Sequence, residues 1–521
     1  MSDQNAGKKG RKHLFPIVAI IVVLVVLLFL FFSSEVRFDN ERGGEQTITV
    51  PKGANGSSVE QPGRLPVREP RGAGLFYPKE PEKLYSLVEE LFARNKPLNL
   101  PGVRAVLVPH AGYAYSGEVA AAAMQELAKG FKRVFILAAN HSSEANFSGV
   151  SLPLVGSYAI PGAEVPLSPL VEELRAQPLF TSVAAAHSAY MIEVELPLLH
   201  GLAGREEKPS FSIIPMIAGN LDQQAVQQLA ATLNRYADEE TVFVFSVDLS
   251  HFYQDATARK LDHATIDAVL SRNAEALVQA TADGNQVLMT MVALAELNGW
   301  DATLLRYKNS GDVTGDRERV VGYAGIAFHQ PIRFSPEQQN LLLGLARKSV
   351  AEYLETGKMV APGEEVIAPH AILGIPRGIF VTLKKEGRLR GCIGDLVSSR
   401  PLYEGVVTFA IKSATGDPRF KPVTREELDG LDLSISVLEY PRKMKAAEPR
   451  QYPSMLKPGR DGVILIHKGR SSTYLPQVWE ELPDPMRFLS SLCMKQGAPA
   501  DCWLEPETVL FKYSAYEFGE K

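Results

Sequence analysis

VRAVLVPHAGY (residues 103–113), RVFILAANHS (133–142) and TVFVFSVDLSH (241–251) share one pattern: a short apolar run that ends in polar residues including a histidine. Runs this short and this rich in Val, Ile, Leu and Phe read as strands buried on both faces. Such strands are the centre of a parallel sheet, and helix-like segments such as 118–128 separate them here. The reading is an α/β domain with a mostly parallel sheet. Open sheets of that kind bind ligands in the crevice beyond the carboxyl ends of their strands. His110, His141 and His251, three of the chain's ten histidines, therefore fall at equivalent places.

Neutral imidazole is the commonest metal ligand, and two histidines with one carboxylate leave open positions on Fe(II). A further histidine nearby suits a general base. Any one of the three could simply cap a strand or bond a carbonyl; three together favour an assembled site. Asp248, three residues before His251, could orient an imidazole or cap the helix expected after it. His200, His263 and His329 have no strand-end context and read as surface or satisfied core residues. His187 reads as a loop histidine in water.

The chain has 521 residues, with 45% hydrophobic and 22% charged side chains. At about 100–200 residues per domain this length allows two to four domains, and the composition excludes collagen, coiled coil and wholesale disorder. A net charge of -5 argues against nucleic acid as a partner, since phosphates need a basic field. Lys8, Lys9, Arg11 and Lys12 precede an uncharged run from Leu14 to Phe32. As a helix that run would span roughly 28 Å, close to a bilayer core. A cleaved signal peptide would be shorter and end in small residues, which Phe29–Phe32 do not provide. The expected order is a basic cytoplasmic tail (1–13), a single transmembrane anchor (14–32) and a Gly/Ser-rich linker (33–65), with a small strand near Thr47–Val50 as an option. The α/β domain follows over 66–331, and a smaller α+β domain over 336–521. Positive charge stays inside, so the globular part is expected outside the cytoplasm.

The last domain should open with a helix over 341–353. Phe380–Lys385 and Arg388–Ile393 read as strands around a Glu386-Gly387 hairpin turn. Three cysteines, odd and few, make neither a disulfide scaffold nor a four-thiolate zinc site. Cys392 lies between Gly391 and Gly394, which leave room for a close backbone or ligand. With Arg390 beside it, Cys392 is a candidate reactive thiol, although a small buried hydrophobe is the commoner fate.

Two resemblances follow from these motifs. Arg68-Glu69-Pro70, Gly74 to Pro78, Pro109 to Tyr113, Asn140-His141-Ser142, Ser246 to His251, Ser310 to Val313 and Gly322 to Gly325 together resemble the Memo family. That resemblance implies the fold of class III extradiol dioxygenases, with His110 and His141 as ligands of a divalent metal. His251 then stands where those enzymes carry their base. The family typically supplies a cysteine as third ligand, but no cysteine precedes Cys392 here. Asp283, in the matching Asp283-Gly284 step before the helical run 287–297, would complete a two-histidine, one-carboxylate set unless it is only a helix N-cap. That set suits iron(II) best, with manganese or copper as alternatives. Tyr190 stands where the family usually has a histidine, a place that His187, three residues earlier, could fill instead, and this bears on the substrate chemistry.

Leu389 to Gly394, Asp417 to Phe420, Gly462-Val463 and Leu475 to Pro485 resemble the AMMECR family, which implies a compact α+β domain rather than a reaction. Both families occur with a radical-SAM protein in the AmmeMemoRadiSam system. This chain lacks the Cys-x-x-x-Cys-x-x-Cys motif, so radical chemistry would belong to that partner. The function implied is a membrane-anchored protein with a mononuclear metal site acting on a small molecule by redox chemistry. The alternative is a non-catalytic metal-binding scaffold that docks the radical-SAM partner.

Overall fold

The computed structural model describes residues 65–520, apart from 360–361 and 364–366. The expected anchor, the linker up to residue 64 and the optional strand at Thr47–Val50 lie outside the described residues. Among the described residues no helix is long and apolar enough to cross a membrane. The described chain forms two compact units, residues 65–443 with 513–520, and residues 444–512.

The first unit is a mixed α/β assembly. Its first part runs β1 (Ala105–Val108), α1 (Tyr113–Met124), β2 (Arg133–Ala139), α2 (Met191–Leu202), β3 (Ser212–Ala218), β4 (Thr241–Ser246), β5 (His251–Tyr253), α3 (Asp255–Leu270), α4 (Asn285–Asn298), β6 (Asp301–Asn309) and β7 (Val320–His329). The sheet order is β5-β7-β1-β4-β2-β3. Short strands at Val150–Ser151 and Phe180–Thr181 extend it past β3, and β6 lies against β7. β1, β4, β2 and β3 are mutually parallel, as the uniformly apolar runs imply, and β7 closes antiparallel on β1. Phe135, Phe243, Phe245 and Phe328 are all buried to within 1% exposure; each such side chain contributes about 1.5–3 kcal/mol by leaving water.

Register positions the site. Val108 of β1 and Ala138 of β2 both pair with Ser246 of β4. The three strands thus finish level, and the residues just beyond them share one rim. α1 starts at Tyr113, earlier than the expected 118, because the chain turns into helix directly after the His110 loop.

The unit continues with α5 (Pro336–Thr356), β8 (Ile379–Lys385), β9 (Arg388–Asp395), α6 (Leu402–Thr415), β10 (Leu431–Leu438) and β11 (Val509–Gly519), whose last residues, from 513, belong here. α5 is longer at both ends than expected. Ser335 and Gln338 form a capping box before it, and Gly357 ends it at φ 71°. β9-β8-β10-β11 is an antiparallel sheet. Glu386 and Gly387 both have positive φ, the two-residue turn that matches strand twist. A Cβ on Gly391 would lie 2.1 Å from the Ser413 carbonyl oxygen, and one on Gly394 2.1 Å from that of Ile379. These glycines admit neighbouring backbone, not a ligand.

Within this unit Arg377 reaches the β6 strand. Its Nη2 donates to Asp301 Oδ2 and Thr303 Oγ1, each at 2.8 Å, and both charged side chains are buried. Tyr440 donates to Asp267 Oδ1 at 2.8 Å.

Residues 444–512 hold a hairpin (Asp461–His467 with Arg470–Tyr474) and a helix, Pro485–Lys495. Trp479 stacks on Phe488 with ring centroids 3.9 Å apart. Cys493 and Cys502, both fully buried, form a disulfide. The low cysteine count excludes a scaffold of several bridges. It does not exclude one staple, which needs only two thiols brought together by a turn at the end of a helix.

Breaking a buried ion pair from one side strands its partner's charge, at a cost of about 3–5 kcal/mol. Asp301 also faces the buried Arg272 at 3.6 Å, so Arg377→Met should lower the melting temperature in a thermal scan, and Asp301→Leu, which strands both guanidiniums, should lower it further.

Candidate metal centre

His110 follows β1 by two residues, His141 follows β2 by two, and Asp283 sits just before α4. Their donor atoms converge. His110 Nε2 lies 3.2 Å from His141 Nε2 and 3.0 Å from Asp283 Oδ2, and His141 Nε2 lies 3.2 Å from the same oxygen. Donors each about 2.0–2.2 Å from one ion, at right angles to one another, are about 3 Å apart, so the triangle has the dimensions of three adjacent ligand positions. His110 is buried and His141 partly exposed, which leaves one side of the triangle open.

The supports explain why these residues meet. Asp248 N–H donates to Asp283 Oδ1 at 3.1 Å, and Asp283 N–H donates to the Asp248 carbonyl at 3.1 Å. A Cβ on Gly284 would come 2.8 Å from Val247 Cγ2, so a glycine is needed for this approach. The N-cap of α4 is Gly284, with no side-chain cap bond, and both Asp283 oxygens are engaged in the cluster. The helix-cap reading of Asp283 is thereby displaced.

Asp248 Oδ1 accepts the main-chain N–H of His110 at 2.9 Å. Asp248 caps no helix, because β5 follows it and α3 begins only at Asp255. His110 Nδ1 contacts Ser246 Oγ at 3.0 Å. Burial alone would keep the His110 ring neutral, but Asp248 and Asp283 outweigh it and push its pKa up to about 9. Burial likewise works to raise Asp283, but His110 and His141 hold it well below the usual carboxylate range. The polar contacts of Asp248 and Asp283 are N–H groups and imidazoles, so the centre concentrates negative charge on donors suited to a cation.

His251 stands at the rim, its Nδ1 donating to the Leu249 carbonyl at 2.8 Å. One of its nitrogens lies within 4.8 Å of carboxylate oxygens of Asp248 and Asp283. The following Phe252 has φ 63°, unusual for a bulky residue, and the register with β7 slips there. Tyr190 packs near His110, their ring centroids 6.5 Å apart, and stacks on Phe76 at 3.6 Å. Burial, then Asp248 and Asp283, push the Tyr190 hydroxyl up to about 12. The Phe76 loop is held by Glu193 of α2. Glu193 is fully buried, pairs with Arg68 at 2.7 Å and accepts from the N–H groups of Arg71 and Gly72 and from Tyr77 Oη. A cavity of about 160 Å³ is lined by Asp283 together with Asn140, Asn146, Asn220 and Gln286.

Other candidates lie apart. His187 is not in water: it is buried, with Nε2 3.1 Å from Ser151 Oγ and Nδ1 3.3 Å from Tyr158 Oη, and burial lowers its pKa to about 4. Nothing in a 3₁₀ turn's local sequence announces that it folds inward. His329 is a satisfied core residue, 2.8 Å from Thr303 Oγ1. Cys392 is half-buried, and Thr382 Oγ1 approaches its sulfur at 3.3 Å. Arg390, adjacent in sequence, points to Glu427 at 2.8 Å. Arg419, distant in sequence, instead reaches the Cys392 strand, donating to its carbonyl at 3.1 Å.

The Memo-like protein family matches residues 68–327 and the AMMECR1 family matches residues 343–518. The chain belongs to both, a Memo-like domain followed by an AMMECR1 domain in one polypeptide. A protein of Methanothermobacter thermautotrophicus is 38% identical over 187 residues, which are 36% of this chain and 96% of the relative. One of Methanopyrus kandleri is 40% identical over 189 residues, 36% of this chain and 89% of the relative. The crystal structure of an uncharacterized Pyrococcus horikoshii protein has 38% identity, covers 36% of this chain and 95% of its own, and gives a TM-score of 0.35.

The strand carrying His251 is seated through Asp262, whose Oδ1 accepts the Ser250 N–H at 2.8 Å. Gly322 of β7 makes room for that carboxylate, since a Cβ there would lie 2.0 Å from Asp262 Oδ2. Overpacking of this kind costs about 1–3 kcal/mol. Gly322→Ala should unfold at lower urea than the parent; an unchanged midpoint would contradict this packing.

Proposed function

We propose that the Memo-like domain is an enzyme holding one divalent metal, iron(II) by preference over manganese or copper, on His110, His141 and Asp283. Its substrate is a small molecule and its chemistry is redox, of the dioxygenase type. The observation that carries the reading is the triangle of donor atoms with edges of 3.0–3.2 Å at the carboxyl ends of the parallel strands.

A bound Fe(II) would supply Lewis acidity and a redox-active centre with open positions for a small molecule. The chain's own groups divide the remaining work. His251 keeps its Nδ1 proton on the Leu249 carbonyl, which leaves the Nε2 lone pair to accept a proton from substrate. Tyr190, with its proton affinity raised, stays protonated at neutral pH and serves as a donor. The cavity lined by Asp283, three asparagines and Gln286 orients a polar molecule. The dioxygenase subclass carries a particular demand here, because Tyr190 replaces the family's histidine and offers a proton where an imidazole would accept one.

The same proposal places the globular part outside the cytoplasm on an anchor at residues 14–32. Two features support that side: the basic residues ahead of the apolar run, and the buried Cys493–Cys502 disulfide, a bond that persists in oxidising compartments. A radical-SAM protein remains the proposed partner. As a cytoplasmic enzyme it would face the opposite side of the membrane, so the topology bears directly on that partnership.

Two measurements test these points. Purified anaerobically, the chain should carry about one equivalent of metal per polypeptide by elemental analysis, with His110→Ala and Asp283→Ala each reducing it to background. A metal-free parent would refute the enzyme, and metal retained in both variants would refute the ligand set. In intact cells with a permeabilised outer envelope, protease should degrade residues 66–521, and in denatured lysates Cys493 and Cys502 should take a maleimide label only after reduction. Full protection with both thiols labelled at once would place the globular part in the cytoplasm, alongside the radical-SAM partner.

A further inference from the structure

Behind His110 a polar chain runs into the core. His110 Nδ1 lies 3.0 Å from Ser246 Oγ, and Ser246 donates its hydroxyl proton to Glu195 Oε1 at 2.7 Å. Ser246 and Glu195 are both fully buried. Glu195 stands on α2, two residues after Glu193, and the two glutamates have opposite surroundings. Glu193 has a guanidinium, two main-chain N–H groups and a tyrosine hydroxyl. Glu195 Oε1 has Ser246, and Glu195 Oε2 has no hydrogen-bond partner among the described residues. Burial pushes the Glu195 carboxyl up to about 8.

A buried carboxyl with half of its hydrogen-bonding capacity unmet is expensive. The geometry suggests what it does. A serine hydroxyl is ambivalent: it can donate to an imidazole nitrogen or accept from one. If Ser246 donated to His110 Nδ1, the imidazole proton would sit on Nε2 and block the donor aimed at Asp283 and His141. Glu195 removes the choice. By accepting the Ser246 proton it leaves only the Ser246 lone pairs facing Nδ1, so when the ring gives up one proton to a cation it keeps the other on Nδ1.

We propose that Glu195 is a positioning residue which, through Ser246, holds His110 with its proton on Nδ1 and its Nε2 lone pair presented to the metal. This rests on the metal reading of His110, His141 and Asp283. Partners of this kind behind a ligating histidine typically change metal affinity 10–100-fold. The role is carried by an acceptor oxygen and needs no charge, so a glutamine suffices at position 195 where a leucine does not.

The test uses the full-length chain, stripped of metal and titrated with Zn(II) against a chromophoric chelator. Ser246→Ala and Glu195→Leu should each weaken Zn(II) binding by about 10–100-fold. The double variant should lose no more than the weaker-binding single one, because both act on one chain of bonds. Glu195→Gln should bind within about threefold of the parent. Glu195→Leu removes a buried, half-satisfied carboxyl, so its metal-free melting temperature should match or exceed the parent's, which separates lost affinity from lost folding. A parent that binds Zn(II) with both single variants unaffected overturns the relay and leaves the metal centre standing. So does a Glu195→Gln variant as weak as Glu195→Leu, or a double variant whose loss is the product of the two. A parent that binds no Zn(II) overturns the centre and the relay together.

Discussion

Asp248 and Asp283 exchange two hydrogen bonds, N–H of each to an oxygen of the other, and the remainder of the centre hangs on this clasp. It ties the loop after β4 to the start of α4, two segments some 35 residues apart in sequence. Without it Asp283 would be a residue near a helix start and nothing more. With it, one carboxylate oxygen faces two imidazoles delivered by other strands. The clasp in turn requires the level ends of β1, β2 and β4, because His110 and His141 each stand only two residues past the strand that carries them.

That geometry has an electrostatic cost. Two acidic side chains are buried beside one another, and burial opposes ionisation of both. Imidazoles and main-chain N–H groups offset part of the cost, and a cation would offset more. The contrast within α2 follows the same logic. Glu193 is fully satisfied and holds the Phe76 loop over the site, whereas Glu195 is left with a serine and points toward His110. A largely apolar helix thus carries one structural acid and one turned toward His110.

The second half of the chain is organised differently. Its glycines beside Cys392 are required by the close approach of α6 and β8, and the guanidinium near that strand comes from Arg419. Arg377 and Tyr440 bond to side chains of β6 and α3, so residues 336–443 are held to the Memo-like part by buried polar contacts as well as by apolar packing. The family-level boundary and the boundary of compact structure consequently fall at different places, near residue 330 and near residue 443.

Much of this was legible in the amino-acid order, because periodicity, strand-end placement and turn chemistry are local properties. The uniformly apolar runs determined parallel, doubly covered strands. The histidines just after them determined which rim would carry chemistry, and Glu386-Gly387 determined its hairpin. What only the tertiary structure decided were pairings between residues far apart in the chain. Asp283 became a cluster member rather than a helix cap because Asp248 claims its other oxygen. Asp248 holds the His110 backbone and caps no helix. His187 turned inward to Ser151, and Cys493 met Cys502 across a turn. Glu195 and Ser246 gave no signal in sequence at all, since a glutamate in a largely apolar helix and a serine ending a strand come into line with His110 only when the sheet assembles. Local order sets what each segment can be; which side chains share a proton depends on strands that meet only in the folded sheet.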